Sequence, residues 1–598
     1  MSDSYACAQA VVEALLAGGV TDLVLAPGSR SAPLALAAHQ ASLEGRLRLH
    51  VRVDERTAGF LALGLAKGSG RCVPIVTTSG TAVGNLLPVV MEASHAKVPL
   101  LVISADRPEE LVGTGANQTT WQPGIFGVFT RVNAGIAATE HRRGWTEASA
   151  DMIRSTEGVD TGNPGPAHLN IAFPEPLVPA HDAPATSVDH LTGTPAPPVI
   201  PAEAGISSEA GTRVHGWLSP VRRTRGRPPG WPFRRQKDAS EPDEDSAGNS
   251  RTPPGLTAAE FGTTVFELPA GPRTVVVCGD ATPAEGAAAR AFAEAANLPL
   301  IAEPSSGARL GPNALRCGRL LLGIGLADRV ERVVMFGHPT LSRPVNRLLT
   351  RGDVELIVVG RGSLPNPGNH ASTFAAEVHL QPDSAGWLGE WQTADCATSD
   401  RVDALLASLD YPSGPAVADA VLAAGSGPLA LGNSMAIRDA DLAPLTDRPV
   451  FANRGLSGID GSVSTAIGLA LATGTPTTAL LGDLSFLHDA NALAIGPGQP
   501  RPDLRIVVAD DAGGAIFATL EYGQPRFADS FETVFATPSG VDPAALAHGY
   551  GTPVTRVATV PDLACVLARP ISGLEVIVIG IDRAHRAELS AALASCAG

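Results

Sequence analysis

Short apolar runs alternate with helix-like stretches along the first part of the chain. Four runs are each followed by a polar loop and a stretch rich in small residues: "TDLVLAPG", "LRLHVRV", "VPIVTTSG" and "VPLLVISADRP". Continuous apolar runs of this length, separated by crossover helices, are typical of parallel strands that are buried on both faces. The pattern predicts an α/β domain with a doubly wound parallel sheet over residues 1–180.

The same pattern returns twice further along the chain. Residues 256–400 contain "RTVVVCGD", "LPLIAEP", "ERVVMFG" and "VELIVVG", and residues 401–598 contain "TTALLGDLSFLHDANAL", "LRIVVADDAGG" and "GLEVIVIGID". No GxGxxG follows the first strand of the middle stretch, so a dinucleotide-binding fingerprint is not supported. The predicted fold class is therefore α/β, with three doubly wound parallel-sheet domains.

Residues 181–255 interrupt the pattern. They are rich in proline, and residues 213–237 hold eight basic residues and no acidic ones, followed by "DASEPDEDSAG". This composition predicts a poorly ordered linker or surface insertion. A basic docking strip is the alternative interpretation.

Charge and composition exclude several classes of protein. A net charge of -16 argues against nonspecific binding to nucleic acid. No apolar run approaches the roughly 20 residues of a membrane helix, and the first residues lack the basic region of a signal peptide. The seven cysteines are scattered without a CxxC pair, which favours reduced thiols and a cytoplasmic protein.

Candidate site residues follow the predicted strands. In parallel sheets the functional residues lie in loops after the carboxyl ends of the strands. Residues 27–30, 54–55, 78–80 and 106–107 all occupy this edge of the first sheet, so we expect them to converge. Glu55 is the unusual member, because burying a glutamate without a partner is costly. It is either a solvent-facing carboxylate at a helix start or a functional group.

The last domain contains the strongest candidate for a metal site. One strand ends at Gly482-Asp483, and the next ends at Asp510-Asp511, followed by Gly513. Parallel neighbours would bring Asp483, Asp511 and the Gly513 carbonyl to one point, and Mg²⁺ binds such oxygens together with phosphate. A helix starting at Asp483 would also direct its amides toward a phosphate group. Taken singly, Asp483 caps a helix and Asp510-Asp511 is a polar turn; together they indicate a diphosphate held through Mg²⁺.

These motifs resemble those of thiamine diphosphate enzymes, which carry Gly-Asp-Gly and, later, an Asn-Asn pair. Leu484 and Asp510-Asp511 depart from that signature. The resemblance implies thiamine diphosphate with Mg²⁺ or Mn²⁺. It also implies a homodimer or homotetramer with sites between chains, in which Glu55 exchanges a proton with the cofactor's aminopyrimidine and faces Asp483 of another subunit. The cofactor-binding residues it implies are Glu55, Thr78, Ile459, Gly482, Asp483, Leu484, Ser485, Asp511 and Gly513.

Further sequence motifs narrow the resemblance to one group of these enzymes. "PGSRSAPL", "DERTAGFLALGLAK", "GANQTTWQPGIF", "GNSMAIRD" and "NRGLSGIDG" are similar to the MenD synthases of the menaquinone pathway, which join 2-oxoglutarate to isochorismate with loss of CO₂. Both substrates are dicarboxylates, which suit guanidinium forks. The implied substrate-binding residues are Ser29, Arg30, Arg107, Asn117, Gln118, Arg343, Ser434, Arg438 and Arg454, of which Arg343 lies in the weakly matching middle domain. Ile459 would prop the cofactor into a bent shape, with ordinary packing as the alternative.

Three alternatives use the same scaffold. Decarboxylases of the pyruvate type resemble one another in carrying two adjacent histidines. No two of the 14 histidines are adjacent in this sequence. An acetohydroxyacid synthase binds FAD in its middle domain, for which the glycine pattern after "VVVCGD" gives no support. A binding protein that has lost the chemistry would be expected to lack Glu55 or Asp483, and both are present.

Overall fold

The computed structural model describes residues 3–178, 265–371, 373–382 and 385–598. The predicted linker at 181–255 lies outside these residues. The described chain forms three six-stranded sheets in which every neighbouring pair of strands is parallel. The predicted α/β fold class with three parallel sheets is therefore confirmed.

The first sheet has the strand order β2-β1-β3-β4-β6-β5. Its strands are β1 (Asp22–Leu25), β2 (Arg48–Val51), β3 (Val73–Thr77), β4 (Leu100–Asp106), β5 (Asn133–Ala137) and β6 (Ala167–Ala172). Its helices are α1 (Asp3–Ala17), α2 (Ala32–Leu43), α3 (Glu55–Ser69), α4 (Thr81–Gly84), α5 (Leu87–His95) and α6 (Arg142–Thr156). The helix-like stretch after β3 forms two helices, because Pro88 has no N–H to continue a helix and occupies the first turn of α5.

The second sheet has the order β10-β9-β8-β11-β12-β13, and β14 pairs with β7 beside it. The strands are β7 (Val265–Leu268), β8 (Thr274–Cys278), β9 (Leu300–Ala302), β10 (Ala314–Leu315), β11 (Arg332–Phe336), β12 (Glu355–Val359), β13 (Thr373–Ala375) and β14 (Glu377–Leu380). The helices are α7 (Pro283–Ala295), α8 (Gly318–Leu321), α9 (Arg343–Leu349) and α10 (Ala385–Ala407). The four predicted apolar runs form β8, β9, β11 and β12, which lie side by side in the middle of the sheet.

The third sheet has the order β16-β15-β17-β18-β20-β19, which repeats the topology of the first. Its strands are β15 (Leu429–Leu431), β16 (Val450–Ala452), β17 (Thr477–Gly482), β18 (Leu504–Asp510), β19 (Val554–Val557) and β20 (Leu574–Gly580). Its helices are α11 (Gly414–Ala423), α12 (Met435–Ala440), α13 (Ser462–Thr473), α14 (Asp483–His488), α15 (Ala528–Phe531), α16 (Pro543–Gly549), α17 (Val560–Leu567) and α18 (Arg586–Ser595).

The first and third sheets share one hydrophobic core. Helices α3 and α13 cross between them so closely that a Cβ on Gly64 would meet the Thr465 carbonyl, and one on Gly468 would meet the Leu61 carbonyl. Only glycine permits this approach of two backbones. The crossing fixes the start of α3, and therefore Glu55, relative to the third sheet. Within the described residues no helix is long and apolar enough to cross a membrane.

Candidate active site

The two aspartates of the third sheet lie together because β17 and β18 are parallel neighbours. Gly482 pairs in register with Ala509, so Asp483 and Asp511 both follow the carboxyl ends of adjacent strands. Each is only 7% exposed. Burial raises the pKa of both carboxyls, helped at Asp483 by the charge of Asp510 and at Asp511 by the charge of Asp483. Two buried carboxylates that repel each other form a site that favours a cation.

The loop after β18 completes this site. The backbone N–H groups of Leu484 and Gly513 donate to the Asp483 carboxylate. The Gly513 carbonyl accepts from the Ala515 amide at 3.0 Å, and a carbonyl has a second lone pair for another partner. Among the described residues no group of three or more His, Cys, Asp or Glu side chains is arranged around one point. The donor set therefore fits Mg²⁺, which takes one or two carboxylates and fills its shell with carbonyl, water and phosphate oxygens.

Some of the remaining implied cofactor residues lie at the start of α14. The others lie in loops after strands of the first and third sheets. Gly482 precedes α14, and Ser485 is buried in its first turn. Thr78 is buried and packs so closely on Gly28 that a Cβ there would overlap its side chain. Ile459 is half-buried, and its carbonyl accepts from the Ser462 hydroxyl at 3.0 Å. These contacts leave both interpretations of Ile459 open.

Three of the four strand-end loops of the first sheet converge. The Arg107 guanidinium donates to the Ser79 hydroxyl and to the Gln118 carbonyl, the latter at 2.6 Å. The Gln118 amide donates to the Ser79 carbonyl at 2.9 Å, and Gln118 has a φ of 54°. Burial and the nearby charge of Arg30 lower the pKa of Arg107. Two guanidiniums therefore lie close together at this edge, and either group can pair with a carboxylate.

The other predicted residues of this edge are the half-buried Arg30 and two exposed loop residues. Arg30 donates to the Phe173 carbonyl at 2.8 Å and lies 3.3 Å from the Glu175 carboxylate. Ser29 and Asn117 are exposed in their loops. Their side chains are free to contact a ligand that enters from solvent.

A buried polar network that no sequence motif marks holds these loops. The Gln122 carbonyl oxygen accepts from the Gly80 amide at 2.9 Å, and its amide donates to Asn170 Oδ1 at 2.9 Å. Asn170 in turn donates to Asp106 Oδ2 at 3.0 Å. Gln122 lies in the string "GANQTTWQPGIF", but only the structure shows that it joins the ends of β3, β4 and β6.

Glu55 lies at the rim of this edge. It is half-buried at the first residue of α3, and Asn85 donates to its Oε2 at 3.3 Å. Within one chain Glu55 is therefore neither fully buried nor fully exposed to solvent. The preceding Asp54 caps the helix by accepting from the Arg56 amide at 2.9 Å. Glu55 itself does not cap the helix, so the carboxylate is available for another partner.

Two of the predicted arginines follow strands of the third sheet: Arg438 is half-buried and Arg454 is buried. Arg454 is 1% exposed; its Nη2 donates to the Thr340 hydroxyl at 2.8 Å, whereas Nε and Nη1 have no hydrogen-bond partner among the described residues. Arg438, on α12, donates to the Asn433 and Ser434 carbonyls at 3.2 and 2.7 Å. Burial, and then the charge of Arg454, lower the pKa of Arg438. Buried guanidinium N–H groups without partners fit the carboxylate of a ligand.

Arg343 differs from these arginines. It starts α9 on the surface and forms an exposed ion pair with Glu521 at 2.5 Å. Binding a substrate would require this pair to open, which costs little for an exposed ion pair.

Glu303 is a second residue that the sequence analysis missed. It is buried after β9, and its Oε1 accepts from the amides of Thr340 and Leu341 at 2.8 and 2.7 Å. Since Thr340 is the partner of Arg454, Glu303 fixes the loop that orients this arginine. Burial raises the pKa of Glu303 to about 8, partly offset by the bond from the Leu341 amide and by the charge of Arg454.

Glu303→Gln is expected to flatten the pH dependence of stability. The unfolded chain releases this proton near pH 4.3, whereas the folded chain retains it to about pH 8, so stability falls as pH rises between these values. Glutamine cannot titrate, but its carbonyl oxygen still accepts from both amides. Melting temperatures from pH 5 to 8 should therefore fall less steeply than in the wild type. Glu331→Gln, at an exposed carboxylate whose pKa is lowered by Arg273, is the control; equal slopes for Glu303→Gln and wild type would contradict the prediction.

Family models match both ends of the chain. Residues 6–125 match the N-terminal TPP-binding domain of thiamine pyrophosphate enzymes, and residues 435–581 match the C-terminal TPP-binding domain. These regions contain the edge of the first sheet and the paired aspartates.

Similar proteins cover nearly the whole chain. Three bear the name 2-succinyl-5-enolpyruvyl-6-hydroxy-3-cyclohexene-1-carboxylate synthase: those of Kineococcus radiotolerans (45% identical, covering 96% of both chains), Nocardioides sp. (43%, covering 98% of this chain and 96% of the relative) and Paenarthrobacter aurescens (42%, covering 97% and 94%). Among solved structures, benzoylformate decarboxylase from Polynucleobacter necessarius matches with a TM-score of 0.59 at 15% identity, over 96% of this chain and 98% of that one. This last likeness concerns the fold alone.

Proposed function

We infer that the chain, which belongs to the family of 2-succinyl-5-enolpyruvyl-6-hydroxy-3-cyclohexene-1-carboxylate synthases, is the thiamine diphosphate-dependent enzyme that joins 2-oxoglutarate to isochorismate with loss of CO₂ in menaquinone biosynthesis. One observation supports the assignment most directly. The paired carboxylates of Asp483 and Asp511 follow adjacent strands in a domain that also carries the half-buried Arg438 and the buried Arg454. A cation site and a carboxylate site are thus built from the same sheet.

The diphosphate end of the cofactor is assigned to the third sheet. Asp483, Asp511 and the Gly513 carbonyl would hold Mg²⁺, or Mn²⁺ in its place, and the cation would bind the diphosphate. When bound, thiamine diphosphate would supply a thiazolium ring that accepts the electron pair left behind when CO₂ departs. Both carboxylates are buried, so they would bind the cation with little competition from water on the protein side.

The substrate carboxylates are assigned to the arginines. Arg438 and Arg454 present a half-buried and a buried guanidinium at the third sheet, and Arg30 and Arg107 present a second pair at the first sheet. Ser29, Asn117, Gln118 and Ser434 would add hydrogen bonds, and Arg343 would close over the site after leaving Glu521. Planar guanidinium groups fix the orientation of a dicarboxylate by paired hydrogen bonds, so the substrate carbonyl would be held in one direction.

Glu55 is assigned to the proton that the cofactor ring exchanges. The site would lie between two chains, with Glu55 of one subunit facing Asp483 of its partner. Exposed apolar side chains support an interface beside Glu55: Val53 is 86% exposed, and Trp121 and Val128 on the same domain are 72% and 89% exposed. We therefore propose a homo-oligomer, at least a dimer.

We also propose a cytoplasmic location, since none of the seven cysteines is in a disulfide.

Release of CO₂ from 2-oxoglutarate tests the assignment. With thiamine diphosphate and Mg²⁺, turnover is expected to be slow alone and strongly stimulated by isochorismate, because the second substrate consumes the bound four-carbon unit. Pyruvate is the control substrate, since it lacks the distal carboxylate for the second pair of arginines. Rapid release from pyruvate that ignores isochorismate would contradict the assignment.

A further inference from the structure

Arg586 makes a contact with the metal-site carboxylates that no motif indicated. It is the first residue of α18 and is 5% exposed. Its Nη1 donates to Asp439 Oδ1 at 2.9 Å, and its Nη2 lies 3.9 Å from Asp511 Oδ2. The guanidinium therefore lies between Asp511, a candidate metal ligand, and Asp439, which follows Arg438 on α12.

The backbone at Gly414 packs against the Arg586 guanidinium and limits its movement. A Cβ on Gly414, the first residue of α11, would overlap both Nη atoms of Arg586 and Oδ2 of Asp439. The Asp439–Arg586 ion pair therefore packs directly against main chain. A buried arginine held this tightly keeps a fixed distance to its carboxylate partners.

A neighbouring arginine, Arg583, binds the main chain of the 511–513 loop. Arg583 donates to the Ala512 carbonyl and to the Glu532 carboxylate. The segment 583–586 thus contacts the 511–513 loop twice, once at a carbonyl and once at the Asp511 carboxylate. The loop that carries Asp511 and Gly513 is fixed by residues that lie about 70 positions later in the chain.

The local charges show why a guanidinium is needed there. The carboxylates of Asp483, Asp511 and Asp439 are all buried and follow one another instead of surrounding one point. Asp483 lies beside Asp511, and Arg586 lies between Asp511 and Asp439; we call these three carboxylates the cluster. With a divalent cation bound, the cluster would retain one net negative charge. This charge would repel a diphosphate. The guanidinium of Arg586 cancels it.

We propose that Arg586 is a positioning residue of the diphosphate site: it supplies the counter-charge that lets Asp511 serve as a metal ligand beside Asp439 and Asp483, and it ties the 511–513 loop to the helix that carries Arg438. This inference rests on the proposed thiamine diphosphate function and adds a residue to it. Because an asparagine at 511 would carry no charge, it would not need this compensation.

Affinity for thiamine diphosphate at saturating Mg²⁺, measured by calorimetry on the full chain, tests the proposal. Arg586→Met is expected to weaken binding by about tenfold, the order of effect for one unit charge at this range in a partly solvated site. Arg586→Met combined with Asp511→Asn is expected to recover affinity to within about threefold of the wild type, because the net charge of the cluster is restored. If the role of Arg586 were purely structural, removing a second charged group would not restore the affinity for thiamine diphosphate.

Two further variants serve as controls. Arg586→Lys keeps the charge and should bind within about threefold of the wild type. Arg505→Met removes another buried arginine, paired with Glu575 at 2.7 Å. It lies near the amino end of β18, away from Asp511, and should lower stability without changing diphosphate affinity.

Two results would overturn the proposal: unchanged affinity in Arg586→Met, or a double variant that binds no better than Arg586→Met. Failure of the wild type itself to bind thiamine diphosphate would instead refute the proposed function. If Arg586→Met does not fold, the double variant and Arg586→Lys decide the outcome, since each retains the net charge of the wild-type cluster.

Discussion

Asp483→Asn is expected to abolish cofactor binding while making the metal-free protein more stable. The substitution removes one of the two carboxylate ligands of the cation, and a loss of at least about 100-fold in Mg²⁺-dependent affinity for thiamine diphosphate follows, since even residues that only orient a ligand cost 10–100-fold. It also removes a buried carboxylate whose pKa is raised by burial and by the charge of Asp510. A group with a raised folded-state pKa costs stability once it ionises, so the melting temperature in a chelator at pH 8 should rise.

The opposite signs of these two effects make the test specific. Calorimetric titration gives the affinity, and thermal unfolding in a chelator gives the stability. Asp542→Asn is the control: Asp542 also stands at a helix start, where its side chain accepts from the Ala544 amide, but its carboxylate is more exposed and pairs with Arg556. This control should leave cofactor affinity unchanged. An Asp483→Asn protein that binds the cofactor as tightly as the wild type would show that the cation lies elsewhere.

The paired aspartates show what sequence can predict about a site. Asp483 and Asp511 are 28 positions apart, but each follows an apolar run of the kind that forms a central parallel strand. Consecutive strands in such sheets are usually neighbours, so the two carboxyl ends meet without any knowledge of side-chain packing. Gly513 was predicted as a carbonyl ligand; the structure adds that its amide also holds Asp483 in place.

Contacts between different sheets could not be predicted in this way. Arg454 contacts Thr340, which lies 114 positions earlier and belongs to the middle domain. Glu303 acts on Arg454 only through that loop. Nothing in the local sequence of Glu303 marks it, because its position depends on how the second sheet packs against the third. Arg586 was equally hard to predict although its partners lie in its own domain, because Asp439 on α12 and Asp511 after β18 are far from it in the sequence.

The edges of the sheets were also harder to predict than their centres. Strands β10 and β13 have two and three residues, too short for an apolar run to stand out. Strand β5 is partly exposed and contains a glycine. An edge strand is buried on fewer sides, so its sequence carries less of the apolar signal by which central strands are recognised.

Glu55→Gln is expected to eliminate turnover and leave thiamine diphosphate binding within about threefold of the wild type, because glutamine keeps the shape and the bond to Asn85 but cannot exchange the proton. The loss of CO₂ release should be at least about 100-fold, the lower end of what a positioned proton-transfer group contributes. Glu92→Gln is unsuitable as a control, since Glu92 accepts from the Gly455 and Leu456 amides. The exposed Glu44, paired with Arg46, serves instead.

Co-expression of Glu55→Gln with Asp483→Asn then tests whether the site lies between chains. If Glu55 of one subunit faces Asp483 of its partner, a mixed dimer has one site with both substitutions and one site with neither. Random pairing makes half of the dimers mixed, so about a quarter of wild-type activity should return from two inactive parents. If Glu55 and Asp483 of the same chain formed the site, every site in the mixture would carry one substitution, and no activity would return. Separately tagged subunits allow the mixed dimers to be isolated, in which half of the wild-type activity is expected.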